Sequence, residues 1–257
     1  MRVTILGSGT SHGVPVVGCE CEVCRSTDPK DTRTRSSILV ENNGAVILVD
    51  TSTDFRFQAL REGIRRIDAI LMTHAHADHL LGLDDTRSLS RDRPLPLYGS
   101  PETLGEIQTR FDYAFKKTQV GGGKPNIDLR TLNGEQTDVA GVDVVTVPVK
   151  HGDLDIHGFR FGRFAYITDC SRIPDESINL LTGVETLVIG ALRYRPHATH
   201  FTIDEAIAAS EAVGASTVWF THICHDVRHA SLVEELSGKA NNGPTIRPGY
   251  DGLVLTV

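Results

Sequence analysis

Thr73-His74-Ala75-His76-Ala77-Asp78-His79 follows directly on the apolar run Ala69-Ile70-Leu71-Met72, and this junction constrains the fold more than any other stretch of the chain. The apolar run reads as a buried strand. Three imidazoles and a carboxylate leaving its C-terminal end belong at a sheet rim, where open α/β sheets hold their ligands. His74 and His76 are two residues apart, so an extended backbone turns them the same way. Asp78 and His79 are adjacent, diverge in a turn and reach a second position. Imidazole and carboxylate suit zinc, iron or manganese, and one motif that splits into two ligand sets points to two metals. A polar turn with surface histidines explains one or two such residues, but not four ligand-type side chains in six positions behind a buried strand.

Three more residues repeat this placement. His151 comes after the apolar run Val142–Val149, Asp169 after Phe164–Thr168, and His222 after Val218–Thr221. Taken singly, each reads as a surface or core polar residue. Taken together they imply a shared site at one rim of a sandwich.

The rest of the pattern agrees with a layered α/β protein. Short β-rich runs lie at Val3–Leu6, Ser37–Glu41, Ala45–Val49, Ala69–Met72, Leu95–Tyr98, Leu129–Leu132 and Val142–Val147. Others lie at Gly158–Phe161, Phe164–Ile167, Thr186–Ile189, Thr217–Phe220 and Gly252–Val257. Helices are expected over Thr53–Glu62, Pro101–Phe111, Asp175–Leu181, Ile203–Val213 and Ala230–Leu236. Interleaved strands and helices, with strands in excess, predict mixed sheets packed face to face with helices outside. Lys116–Pro125 has no hydrophobic period and reads as a surface loop.

At 257 residues the chain suits one domain spanning 1–257. Its net charge of −7 gives no broad basic footprint, so nucleic acid is not an expected partner. Apolar runs such as Ala45–Val49 fall far short of the roughly 20 residues of a membrane span. Met-Arg-Val-Thr-Ile-Leu running straight into Gly-Ser-Gly reads as a first strand, not a signal peptide. A cytoplasmic protein without a membrane partner is expected.

The five cysteines are Cys19, Cys21, Cys24, Cys170 and Cys224. An odd number in such a chain argues against a disulfide framework. Cys19, Cys21 and Cys24 supply three soft ligands within six residues, and a fourth would close a tetrahedral zinc site. Cys224 and His225, both just beyond His222, are the candidates. A reduced or redox-active thiol cluster is the alternative.

The His-x-His-x-Asp-His motif, followed by single His, Asp and His residues at strand ends, resembles the metallo-β-lactamase superfamily over essentially the whole chain. That resemblance implies an αββα sandwich. It also implies one metal on His74, His76, His151 and Asp169, and a second on Asp78, His79, Asp169 and His222, with Asp169 bridging. β-Lactamases themselves usually carry Arg at the His79 position and Cys in place of the bridging Asp, so lactam hydrolysis is disfavoured. Gly13-Val14-Pro15 ahead of Gly18-Cys19 is similar to the branch that holds the phosphoribosyl cyclic phosphate phosphodiesterase. By that resemblance the fourth ligand of the structural zinc is His225.

The expected reaction is hydrolysis of a small cyclic or nucleotide-like phosphate ester by a hydroxide held between two metals, zinc or manganese, with iron also suited. Asp78 would bind metal and orient the hydroxide. His200, just ahead of the helix at Ile203, matches the branch's leaving-group histidine, with His197 as the fallback. His12 and the trio Arg193, Tyr194 and Arg195 could contact substrate or phosphate, while Cys170, His157 and His229 read as packing or surface residues. A tRNA 3′-processing endonuclease, a glyoxalase II-type thioesterase and a non-catalytic accessory protein of cofactor biosynthesis are the competing readings. A homodimer is compatible with everything in the sequence.

Overall fold

The computed structural model describes residues 1–117, 123–132, 134–238 and 243–257. The centre of the expected loop Lys116–Pro125 therefore lies outside the described residues.

The strands form two seven-stranded mixed sheets. In the first, β1 (Arg2–Gly7), β2 (Ser37–Asn42), β3 (Ala45–Val49), β4 (Ala69–Leu71), β5 (Leu95–Gly99), β6 (Ile127–Thr131) and β14 (Val254–Thr256) lie in the order β14-β1-β2-β3-β4-β5-β6. The second sheet holds β7 (Gln136–Val139), β8 (Val142–His151), β9 (Leu154–Phe161), β10 (Phe164–Ile167), β11 (Thr186–Gly190), β12 (Thr217–Thr221) and β13 (Thr245–Pro248). Its order is β13-β12-β11-β10-β9-β8-β7. Strands β3 to β6 run parallel to one another, as do β10 to β13.

Side-chain alternation along the strands builds three apolar layers. Ile47 and Val49 of β3 face Phe164 and Tyr166 of β10 across the space between the sheets. Leu48 of β3 and Ile70 of β4 turn outward, onto Phe55, Leu83, Leu104 and Ile107. Ala165 and Ile167 of β10 turn the other way, onto Leu181, Ile203, Ala206 and Leu232. On the first sheet the outer layer is closed by α1 (Phe55–Arg61), α2 (Ala77–Leu80), α3 (Pro101–Arg110) and α4 (Asp112–Phe115). On the second it is closed by α5 (Asp175–Leu180), α6 (Ile203–Val213) and α7 (His229–Gly238). This is the αββα sandwich that was expected.

Local chemistry fixes the helix ends. Thr202 and Glu205 form a reciprocal capping box at the start of α6, and Gly214 ends it at φ 76°. Ser100 caps α3, with Pro101 in its first turn.

The differences from the predicted elements have clear causes. Strands β7 and β13 are not apparent in the sequence because they are edges. Gln136-Thr137-Asp138-Val139 is polar, and β13 ends in Pro248, both tolerated only where one side goes unpaired. Strand β8 runs through Pro148 to His151, so this histidine closes the strand instead of following it. The expected turn at Asp78-His79 is the short helix α2, continued by 3-10 turns over Leu81–Ser88. No helix among the described residues is long and apolar enough to cross a membrane.

Candidate active site

Strands β3, β4, β10 and β12 deliver their C-terminal ends to one rim, where Asp50, His74, Asp169 and His222 stand. Three of these residues, or their equivalents at the strand ends, bend the backbone sharply. Asp50 has φ 63°, Asp169 φ 51° and His222 φ 56°, all in the left-handed region that costs a non-glycine residue energy. Each side chain there joins the cluster at the rim, Asp50 through His79, and Asp169 through His79 and His222.

Two sets of ligand-type atoms result. Atoms of His74, His76 and His151 lie within 4.8 Å of one another, as do those of Asp78, His79, Asp169 and His222. A third set joins His151 and Asp169 to His200, so Asp169 stands between the groups. Asp169 Oδ1 lies 3.1 Å from His79 Nε2 and 3.0 Å from His222 Nδ1. The His200 ring sits 4.7 Å from that of His151 and 4.8 Å from that of His222.

Several of these groups are held from behind. Asp50 Oδ2 is 2.7 Å from His79 Nδ1, and Asp50 also accepts from the Thr73 amide and hydroxyl at 2.8 Å. His74 Nδ1 lies 3.0 Å from Thr73 Oγ1, and His151 Nδ1 donates to the Thr199 carbonyl at 2.8 Å. Thr10 and Ser36 hydroxyls flank His222 at 3.1 and 3.3 Å. Partners of this kind fix the ring orientation and tautomer of a metal-binding histidine. With Nδ1 engaged, Nε2 of His74 and of His79 faces the site; His74 Nε2 has no hydrogen-bond partner among the described residues, and His79 Nε2 meets carboxylate oxygens of the same cluster, Asp78 Oδ2 at 3.2 Å and Asp169 Oδ1 at 3.1 Å. Buried imidazoles and carboxylates crowded together with so few well-formed hydrogen bonds are costly unless a cation joins them. The donor set therefore fits a pair of divalent metals.

The electrostatics show the same crowding. Burial, helped by the charge of His79, pushes His74 well below its ordinary pKa. Burial opposes ionisation of Asp169, but His222 and His79 outweigh it and hold the carboxyl well below the usual range. Burial, with His222 next to it, lowers His200 to about 3, so its imidazole is neutral.

The cysteine cluster forms a second centre. His225 Nδ1 is 3.3, 3.5 and 3.4 Å from Sγ of Cys19, Cys21 and Cys24. A tetrahedral zinc with the usual bond lengths has nitrogen–sulfur edges of roughly 3.6 Å, so these spacings fit that ion. The Cys24 amide draws the Cys21 thiol down to about 7, while burial pushes Cys24 up to about 11, so Cys21 is the first of this pair to ionise. Cys224 is not part of the cluster; its sulfur accepts from the Asp226 amide. Of the two candidates for the fourth position, only His225 is in place.

Other candidates resolve differently. His12 is exposed and joins none of the metal-type clusters. Arg193 bonds to the carbonyls of Arg195 and Pro196, Arg195 pairs with Asp226, and Tyr194 donates to Glu235. Arg193 thus braces its own loop, while Tyr194 and Arg195 tie that loop to α7 and to the segment after β12. Cys170 is buried among apolar side chains and pushed up to about 12 by that burial. His229, expected at the surface, is instead buried at 5% exposure and packs on Tyr250. The backbone hydrogen bond from His229 to Asp31 draws the start of α7 inward.

Sequence reasoning missed Asp50, Thr10, Ser36 and the Thr199 carbonyl. Asp50 carried a usable signal, since it follows the apolar run Ala45–Val49 just as Asp169 follows Phe164–Thr168. The others lie in loops whose approach depends on the tertiary fold.

The Beta-lactamase superfamily domain matches residues 46–223, and the chain belongs to that superfamily. It thus has the metallo-β-lactamase fold, with the metal-type residue clusters described above at its rim. Within the superfamily it is similar to a new diphosphatase from the PhnP family. The two are 42% identical, with TM-score 0.90 over 100% of this chain and 97% of that one. An octanoyltransferase of Porphyromonas gingivalis is 41% identical over 98% of this chain, which spans only 51% of that longer protein. Zinc-bound PqqB from Methylobacterium extorquens shares the fold, with TM-score 0.78 at 21% identity and full coverage of both chains.

Proposed function

We propose that this protein is a metal-dependent phosphodiesterase acting on a small cyclic or nucleotide-like phosphate ester, as one catalytic domain over 1–257. The observation that carries this reading is the convergence of His74 Nε2, His79 Nε2 and Asp78 Oδ2 beside Asp169, buried with too few well-formed hydrogen bonds among themselves. Similarity to a PhnP-family diphosphatase over the whole chain supports phosphoryl chemistry over thioester or lactam chemistry. The octanoyltransferase activity is named for a protein about twice as long and is not carried over.

His74, His76, His151 and Asp169 would hold one divalent metal, and Asp78, His79, Asp169 and His222 the other, zinc or manganese being suited and iron also. When bound, such a pair supplies Lewis acidity to an attacking water and to the phosphoryl oxygens. Asp78 would orient the attacking water with its carboxylate. His200, neutral and at the edge of the cluster, offers a hydrogen bond to the leaving oxygen. Asp50 keeps His79 in one orientation throughout. Cys19, Cys21, Cys24 and His225 would hold a structural zinc, which would tie the N-terminal loop to the loop carrying His222. The substrate is a small molecule, and a homodimer is the proposed assembly if the protein associates.

A screen of metal-reconstituted protein tests the reading. The substrates are bis(p-nitrophenyl) phosphate, cyclic ribose phosphates, tRNA precursors and S-lactoylglutathione. Turnover of the first two is expected. Hydrolysis of the thioester alone would overturn it. An accessory protein without activity would bind the structural zinc and no metal pair.

A further inference from the structure

Arg33 is wholly buried, at 1% exposure. Among the described residues its one carboxylate within ion-pair distance is that of Asp31, 3.1 Å from Nη2. Arg33 Nε and Asp31 Oδ2 have no hydrogen-bond partner there. A buried ion pair with polar atoms left over is weak evidence for stability, since apolar residues of similar volume often serve as well. Its use here lies in where the remaining donors go.

Nη1 donates to the Cys224 carbonyl at 3.1 Å, and Nη2 to the Val227 carbonyl at 2.9 Å. Those carbonyls stand at the two ends of residues 224–227, the turn that presents His225 to the three thiols. Asp31 accepts from the His229 amide at 2.7 Å and so fixes the segment just beyond the turn. The Arg33 backbone grips a different segment. It exchanges both hydrogen bonds with Val14, each at 2.8 Å. Val14 begins the arm that carries Cys19, Cys21 and Cys24, and the Val16 amide donates to Cys24 Sγ at 3.3 Å. One residue thus holds one half of the cysteine centre by its main chain and the other half by its side chain.

Little else does so. Among the described residues, the other polar links between arm and turn are the thiol contacts with His225 and the ion pair of Glu22 with Arg228. The side chains of that pair are 76% and 48% exposed, so it contributes little.

We propose that Arg33 is the positioning residue of the cysteine centre, gathering Cys19, Cys21, Cys24 and His225 before a metal binds. This rests on the structural-zinc reading of that centre. Ligands already in place lose less freedom on binding, so affinity rises. Lysine keeps the charge, but its single ammonium lacks the fork that spans both carbonyls.

Cobalt(II) reports on this centre alone, because thiolate-to-cobalt absorption needs sulfur ligands and the histidine and aspartate clusters at the rim have none. The full chain is loaded with cobalt and titrated with zinc against a chelator buffer. In Arg33→Lys the zinc Kd should rise about tenfold or more. Its cobalt ligand-field bands should also move toward those of His225→Ala. In Glu22→Ala the Kd should rise less than about threefold. Wild-type Kd and wild-type bands in Arg33→Lys would overturn the proposal, even if that variant melts lower. Should the wild type show no thiolate absorption, the structural-zinc reading fails on its own account. Alkylation of the metal-free chain by iodoacetamide then decides Arg33 separately. Faster modification of Cys19, Cys21 and Cys24 in Arg33→Lys, by about fivefold or more, supports the brace. Equal rates reject it.

Discussion

Asp50 Oδ2 and His79 Nδ1 stand 2.7 Å apart, with both side chains wholly shut off from solvent. One comes from the end of β3, the other from α2, and their contact ties the first sheet to the second ligand set. Asn at position 50 keeps the shape but cannot serve as an ionised acceptor. For Asp50→Asn, metal affinity should fall by about 10- to 100-fold, the usual cost of losing such a supporting carboxylate. Chelator competition measures this, and wild-type affinity would show that His79 needs no such support.

His200 lies 14% exposed at the edge of the metal cluster. Removing it should leave both metal sets intact, because every other ligand-type group remains. For His200→Ala we expect kcat to drop about 100-fold or more at unchanged metal content per chain. Full turnover would refute its part in leaving-group departure.

The cysteine centre joins residues 19–24 to His225, three positions after His222. Cys21→Ser should lose one equivalent of metal. It should also melt on the order of 5–10 °C lower, as a loss of a few kcal/mol does in a chain of this size. Unchanged zinc content together with an unchanged melting temperature would dispose of a structural metal.

His229 gives the stability a pH dependence. Burial, with Lys30 and Arg33 nearby, lowers it to about 4, and Asp28 and Asp31 offset this only in part. Unfolded, the ring titrates near its ordinary value of about 6.5. Between those values the unfolded chain binds the extra proton, so stability falls as pH drops from about 6.5 towards 4. Above that window the ring is neutral in both states and contributes no slope. Denaturant unfolding of wild type and His229→Leu across this range should show a shallower slope in the variant; parallel curves would exclude the effect.

Gly82 allows α2 to dock. A Cβ there would meet the Ser52 carbonyl oxygen at 2.0 Å and Phe55 Cβ at 2.8 Å. Neither can yield without moving the backbone that follows Asp50. Gly82→Ala should cost about 2 kcal/mol or more and weaken metal binding, because the helix carrying Asp78 and His79 must shift. Equal stability and equal metal content in the variant would show that the contact relaxes freely.

The sequence by itself determined which residues carry the ligand chemistry. His74 to His79, His151, Asp169 and His222 announced themselves by residue type and by their position after apolar runs, and strand alternation dictated buried sheets. Position along a strand is local information, and ligand-type side chains at strand ends read out directly. Only the tertiary structure decided how those ends meet. It set Asp169 between the two groups, chose His225 over Cys224, put Asp50 behind His79 and buried His229. It also set Arg33 across the turn that presents His225. Each of those outcomes depends on the packing of segments far apart in the chain, where a shift of one strand residue would turn the side chain to the opposite face. No pattern of neighbouring residues encodes that register.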